Sequence, residues 1–565
     1  MFKLENLLCN DFFPNELPPC FSTHSIKDIL SLPEIVQICD TEFNEKATSP
    51  LFFSGYKTES SRRKFAIPNF VMYMKLAKII VDNSNKIFEL LSKSNSASLT
   101  APISKEPKDN EAFSKKCKNF PESKLEIEKL YYSNQFELRL DITSFFDNIY
   151  THSIAWAVET KNIAKKKSQD LTLLGNQLDI LTRSMNNNQT NGILLGNALS
   201  RIISEIILCD VDKKIQADLK NIKYKRYVDD YYIYTENGYE IPNIISVIRK
   251  HLNDYELFLN ENKIQINESP FIYGKPWIEN IRQYIHLDPF TFLNKLIVDY
   301  KKYKDVSLLR YGLKIISLYS YSKEQWLSFE PKILNLLVTF PSLADIIINI
   351  LLINKDYINK HNIKNAIYTI TNSSVQLSYD QELIWMVWYI KVFQINISIE
   401  YSIKILEYDN VLANIILLDY LKTTKNQIYK HKTIQNWRRE VASRMKAFQT
   451  QGQNVMESKY WLLAYEGTHN KWFNFSDSTF KELNSNQSFV SLLRNDVFFY
   501  DNKYEYSMDN PNHNPYYISR DEVIEKFNEL KQCISEILAK DNPNAEKLAK
   551  IKFDSFEKAI SIIDY

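Results

Sequence analysis

Apolar and polar residues alternate from Phe136 to Leu140, and the alternation ends on Asp141, with Phe145 and Phe146 following. A period of two predicts a strand that delivers Asp141 at its tip. A second run, Lys223 to Tyr234, is dense in Tyr, Val and Ile but carries Asp229 and Asp230 at its centre. Asp is depleted in strands and adjacent carboxylates repel, so this pair predicts the tip of a hairpin that aims charge at a cation. Between the two runs, Gly192 and Gly196 precede a stretch to Leu208 whose apolar residues recur at near-helical spacing. Further out, Pro68 to about Leu91 reads as helix, and Ser92 to Ser98 with Pro102, Pro107 and Pro121 reads as a loop or mobile arm. From Phe290 to Lys425 strand alternation disappears. Leu and Ile then recur at three- and four-residue steps between polar breaks such as Asn362, Asn365 and Asn372 to Ser374, which predicts antiparallel helices stacked in pairs. Asn426 to Tyr565 keeps helical character around aromatic anchors such as Tyr460, Trp461 and Tyr465. Three segments follow: 1–125 as an N-terminal region, 126–285 as a mixed α/β domain, and 286–565 as an all-α domain.

Composition narrows the class. A chain of 565 residues exceeds the size at which one core stops growing, and 44% hydrophobic with 24% charged residues is ordinary globular usage. The net charge of +2 argues against extensive non-specific duplex binding, leaving local basic stretches such as Lys165 to Lys167 as either a channel or a solvated loop. Six cysteines without Cys-x-x-Cys spacing indicate neither a zinc site nor a disulfide framework. The strongest apolar run, Leu343 to Ile353, is short and broken by Asp345 and Asn349, so it reads as a buried helix. With no basic-then-apolar leader at the start, a soluble cytoplasmic protein with no membrane partner is expected.

The acids define the candidate chemistry. Transfer of a nucleotidyl group needs two hard cations held by carboxylates more than it needs covalent help from side chains. Asp141 and Asp229 are expected to bridge two Mg²⁺ ions, or Mn²⁺ in their place, with Asp230 beside them. Either acid alone is as readily explained as a helix cap or turn residue. The chain has only nine glycines, so two within five residues mark a close backbone approach, and Gly192 and Gly196 are expected to make room for an incoming nucleotide.

The order Asp141-x-x-x-Phe145-Phe146, Gly192-x-x-x-Gly196-x-x-x-Ser200 and Tyr227-Val228-Asp229-Asp230 resembles motifs A, B and C of reverse transcriptases, and Phe258 to Lys263 is similar to their motif D. More narrowly, Asp141 to Ile154, Leu199 to Glu205 and Arg62 to Asn69 resemble the abortive-infection (Abi) reverse transcriptases, the AbiK, AbiA and prophage Abi group. The resemblance implies reverse-transcriptase-like fingers and palm followed by a HEAT-like helical domain in place of a thumb. It also implies catalytic and metal roles for Asp141, Asp229 and Asp230, and Lys263 as a proton donor to leaving pyrophosphate. Phe146 is then the aromatic wall that excludes a ribose 2′-hydroxyl, a clash rather than a hydrogen bond. Arg62, Arg63 and Lys64 are implied to grip the triphosphate, with Ile142 also in the substrate set.

The Abi resemblance implies a DNA polymerase that takes dNTPs, copies no template and starts from a hydroxyl on its own chain, so that single-stranded DNA stays covalently attached. It further implies a role in bacterial antiphage defence and, in some relatives, homo-oligomers. AbiK primes from a tyrosine near its N-terminus. Here the first tyrosine is Tyr56, which leaves Ser and Thr hydroxyls such as Ser22, Thr23 and Ser25 before it, or a tyrosine elsewhere. The competing expectations are a template-copying enzyme of retron or intron type and an inactive palm serving as a nucleic-acid-binding scaffold. A second, nuclease activity of the Arg-x-x-x-x-x-His type is disfavoured, since Arg438, Arg439, Arg444, Arg494 and Arg520 lack a suitably spaced His.

Overall fold

The first strands in chain order, β1 (Leu51–Thr58) and β2 (Ser61–Ile67), form a two-stranded antiparallel sheet. They belong to a computed structural model that describes residues 1–40, 46–94, 97–285, 287–319, 321–424, 427–450, 454–473 and 487–506. Phe53 and Phe65 face each other across this sheet and their rings stack at 5.3 Å. Helix α1 (Phe70–Asp82) follows as expected, started by Asn69, whose side chain accepts the N–H groups of Val71 and Met72 that the first turn cannot satisfy.

The predicted strands build a second antiparallel sheet from β3 (Phe136–Asp141), β4 (Lys223–Tyr227), β5 (Asp230–Thr235) and β6 (Gln265–Glu268), in the order β4-β5-β3-β6. Alternation buries Leu138, Leu140, Tyr231 and Ile233 on one face. Helix α2 (Ala198–Asp218) meets this sheet through Tyr224 and Arg226 of β4, which bond to its buried Asp212. Asn197 caps α2 by accepting the Ser200 N–H.

The segment expected as a loop or mobile arm is irregular over its described residues to 119, and Ala97 to Leu99 pack on β4. The Leu99 N–H donates to the Arg226 carbonyl at 2.9 Å, and the Arg226 N–H donates to the Ala97 carbonyl at 2.8 Å. Two of its serines are short enough to be buried and bonded: Ser94 donates to Asp212 and Ser98 to Glu205. Polar composition here serves an interior network rather than solvent.

The chain divides into two compact units. The first holds Met1–Lys116, Lys129–Phe271 and Ile367–Asn502, so its helices beyond residue 367 gather with the N-terminal region and the sheets, a division that cuts across the expected 286–565 segment. The physical reason lies in α3 (Asp380–Val392) and α4 (Val411–Thr423), which pack on each other and are buried on every side. A helix apolar all round needs neighbours all round, and α3 finds one of them in β1.

The second unit contains Cys117–Glu128 and Ile272–Ala366 among its described residues. Its helices Pro289–Tyr303, Val306–Ile316 and Lys323–Thr339 each begin at a polar cap, Asp288, Asp305 and Ser322. Rings of Phe290, Tyr321, Trp326 and Phe329 pack together in its core. Ile347, Ile348, Ile350 and Leu351 are fully buried, in keeping with a core helix. No single helix among the described residues is long and apolar enough to cross a membrane. Residues 507–565 of the expected C-terminal helices lie outside the described residues.

Candidate active site

β3 ends on Asp141 and β5 begins on Asp230, and the two are cross-strand partners. Residues opposite each other in an antiparallel pair are about 5 Å apart at Cβ, so strand register alone brings these carboxylates together. Asp229 reaches the same place by a tight turn. Tyr227 pairs with Asp230, leaving Val228 and Asp229 as the two-residue tip of the β4–β5 hairpin. Val228 takes a φ of +54°, a left-handed conformation that suits the turn and strains a β-branched residue.

The electrostatics of the cluster are those of crowded, half-hidden acids. Burial, and then the charge of Asp141, push Asp229 up to about 6. Burial, and then the charges of Asp229 and Asp141, push Asp230 up to about 7. Positive charge answers them in part: the Lys263 ammonium donates to Asp141 Oδ2 at 2.6 Å, a bond that raises the lysine. Asn260 adds a side-chain N–H to the same oxygen at 3.3 Å and a backbone N–H to the Asp141 carbonyl at 2.8 Å.

Among the described residues no three His, Cys, Asp or Glu side chains form a preassembled metal cage. The donor chemistry nevertheless fits a hard divalent cation: three carboxylates lie close enough to act on one another, two of them are raised by burial and then by their neighbours' charge, and an ammonium is drawn onto the third. A divalent ion relieves the same repulsion that Lys263 relieves in part.

Other predicted residues fall into groups. Phe146 is half-buried against the Phe145 ring, and its carbonyl accepts the Ile193 N–H, which ties it to the glycine loop. Gly192 (φ +82°) and Gly196 (φ +116°) both need left-handed backbone. The close neighbours are the chain's own atoms: a Cβ at Gly192 stands 3.1 Å from the Asp147 carbonyl oxygen, and one at Gly196 stands 2.6 Å from Pro14 and 3.2 Å from Phe65. Ile142 is buried and its backbone bridges to Leu259.

The basic run on β2 is split. Arg63 is exposed, and its charge acts on Asp229. Lys64 lies over the Phe52 ring at 3.7 Å. Arg62 is turned elsewhere, into a two-pronged ion pair with the buried Glu382 of α3 at 2.6 and 2.5 Å, with Tyr379 beneath its guanidinium. The early hydroxyls are likewise engaged: Thr23 donates to the Leu8 carbonyl, Ser25 to the Phe498 carbonyl, and Ser22 accepts the His24 N–H.

Sequence reading passed over Arg226 and its partners Glu205, Asp212 and Thr100, which surround the Val228 turn from behind. A signal was present. Glu205 and Asp212 sit seven residues apart among Ile and Leu on one helix, and buried acids at that spacing require a buried cation.

An antiparallel sheet with acids at the ends of adjacent strands, joined to a glycine loop and a long helix, defines the palm of a nucleotidyl-transferring polymerase. Residues 60–293 match the family described as reverse transcriptase (RNA-dependent DNA polymerase). A reverse transcriptase domain is therefore present over these residues, and it marks the protein as an enzyme of the nucleotidyltransferase class. Among solved structures, apo telomerase from Candida tropicalis aligns at 12% identity over 73% of this chain and 74% of that one, with a TM-score of 0.32. Telomerase from Candida albicans in complex with a fragment of telomeric RNA aligns at 12% identity over 63% of this chain and 68% of that one, with a TM-score of 0.28. No curated protein matches the chain at a significant level.

Proposed function

We propose that this chain is an Abi-type DNA polymerase that joins dNTPs without a template, starts from a hydroxyl of its own chain, and acts in bacterial antiphage defence. The observation that carries the polymerase step is the convergence of Asp141 with the Val228–Asp229 turn and Asp230. Asp141, Asp229 and Asp230 are the residues to hold Mg²⁺, or Mn²⁺, which when bound acidifies the attacking hydroxyl and neutralises triphosphate charge. Lys263 stands within reach of the same acids and carries the proton for departing pyrophosphate. Arg63, whose charge acts on Asp229, takes the triphosphate, while Phe146 sets the sugar preference.

The Abi assignment is supported by the strings Asp141 to Ile154 and Leu199 to Glu205, and by helices from Ile367 onward that gather in one unit with the β1–β2 hairpin. Helices that pack against their successors, as Pro289–Tyr303 does on Val306–Ile316, support the HEAT-like reading. The hydroxyls of Ser22, Thr23 and Ser25 are engaged in internal bonds, which favours a tyrosine over these three as the primer.

Purified protein incubated with Mg²⁺ and labelled dNTPs, without template or primer, tests the reading. Label attached to the protein, and lost in Asp229→Ala, is the expected result. Label that appears only after RNA and a primer are added assigns the chain to template-copying enzymes. No incorporation in any mixture leaves the inactive scaffold.

A further inference from the structure

Two turns of α2 bring Glu205 and Asp212 to the same side of the helix, and that side is buried. Carboxylates removed from water are costly without a partner. Their partner is Arg226 of β4, itself 0% exposed. Its Nη2 reaches Glu205 Oε2 at 3.0 Å and Asp212 Oδ2 at 2.8 Å, and its Nε reaches Asp212 Oδ2 at 2.9 Å. The remaining arm, Nη1, donates to the Val228 carbonyl at 2.7 Å. The Val228 N–H donates to Thr100 Oγ1 at 3.2 Å, and that hydroxyl donates onward to Glu205 Oε1 at 2.5 Å.

Both backbone polar groups of the residue preceding Asp229 are thus held by one charged cluster. The residue so held is the strained one, and a left-handed Val persists only where its surroundings over-determine it. The cluster has two acids to one guanidinium, and Ser94, Ser98 and Tyr224 supply further donors to those acids. A planar fork is required to serve Glu205, Asp212 and the Val228 carbonyl in three directions at once, which a lysine ammonium on a flexible stem does not do.

We propose that Arg226, together with Glu205, Asp212 and Thr100, is a positioning cluster that fixes the Val228 turn and thereby holds Asp229 where it shares a cation with Asp141. This rests on the polymerase reading of the acids. The cluster touches neither substrate nor cation; it acts through two backbone hydrogen bonds. Because α2 also begins two residues after Gly196, the same rigid helix sets the glycine loop in register with the acid-bearing hairpin.

The test uses the full chain with Thr100→Val and Arg226→Lys, and reads Mn²⁺ binding by electron paramagnetic resonance with no nucleotide present. Thr100→Val removes both the acceptor for Val228 and the donor to Glu205 while keeping the side chain's shape. It is expected to weaken Mn²⁺ binding about tenfold and to lower kcat for dNTP incorporation about tenfold, with KM for dNTP within about twofold. Arg226→Lys is expected to do the same more strongly; where that variant fails to fold, Thr100→Val carries the test. Wild-type Mn²⁺ affinity and kcat in a folded Thr100→Val protein overturn the proposal, as do losses that vanish when assays are run well below its melting temperature. A wild-type chain that incorporates no nucleotide, yet binds Mn²⁺ more tightly than Thr100→Val, overturns the polymerase reading and leaves the positioning cluster standing. Equal Mn²⁺ binding by wild type and Asp229→Asn overturns both.

Discussion

Val228 carries a backbone φ of +54°, where its branched Cβ crowds the following carbonyl, a conformation that costs an L-residue about 1–2 kcal/mol. Its side chain is only half-buried, so little packing is lost on removal. Val228→Gly is therefore expected to raise stability by about 1 kcal/mol while loosening the tip that bears Asp229, and so to lower turnover. A melting midpoint at or below wild type contradicts this account of the turn. The neighbouring acids predict a pH dependence. Asp229 and Asp230 are pushed up to about 6 and about 7, so both lose their protons as pH rises through that range. A cation requires the ionised form, and Mn²⁺ binding should strengthen from pH 5.5 to 8 and then level off. The Lys263 ammonium lowers both acids. Lys263→Met should move the rise to higher pH, and a binding profile that moves the other way sinks this reading.

At the scale of elements, the hairpin β1–β2 is fastened to the start of α3. The Ser54 N–H donates to Asp380 at 2.7 Å, the Tyr56 N–H donates to Gln381 at 2.8 Å, and Arg62 pairs with Glu382. These side chains occupy a strand edge that otherwise leaves its donors to solvent. Glu382 is buried and Arg62 half-buried, and removing one partner of such a pair leaves a charge uncompensated. Glu382→Ala should cost about 3 kcal/mol, and a double-mutant cycle with Arg62→Ala should show coupling above about 1 kcal/mol. Additive losses in denaturant melts, with no coupling, discard the fastening. This element also shows where sequence reading stops. β3, β5 and the acids at their tips were legible because a period of two and its interruption by Asp are local signals. The fate of Arg62 was not, because its partner lies 320 residues away. Ser94, Ser98 and Thr100 read as a polar arm for the same reason: their hydrogen bonds go to Glu205 and Asp212, and no window of neighbouring residues contains both ends.

Across the first unit as a whole, the two ends of its described chain close on each other. Phe21 bridges to Tyr500, the Ser22 N–H donates to the Phe499 carbonyl, and the Asp501 N–H donates to the Cys20 carbonyl. Glu466 holds the far side of this junction. Its Oε1 accepts the N–H groups of Phe499 and Tyr500 at 2.7 and 3.3 Å, and its Oε2 accepts from Asn470 at 2.9 Å. The carboxyl is completely buried, and burial outweighs those donors to push it up to about 8. An acid raised in the folded state keeps its proton there while the unfolded chain, with an ordinary carboxyl near 4.5, has released it. Stability is therefore full below about pH 4.5 and is lost as pH climbs toward 8, at up to about 1.4 kcal/mol per pH unit for one proton. Glu466→Gln retains an oxygen for the Phe499 and Tyr500 N–H groups and has no proton to lose. Its melting midpoint relative to wild type should rise steadily between pH 5 and 8, because wild type weakens over that range and the variant is spared this term. Two midpoint curves that run parallel across the window mean that Glu466 is ionised in the folded chain, with its three N–H donors outweighing burial.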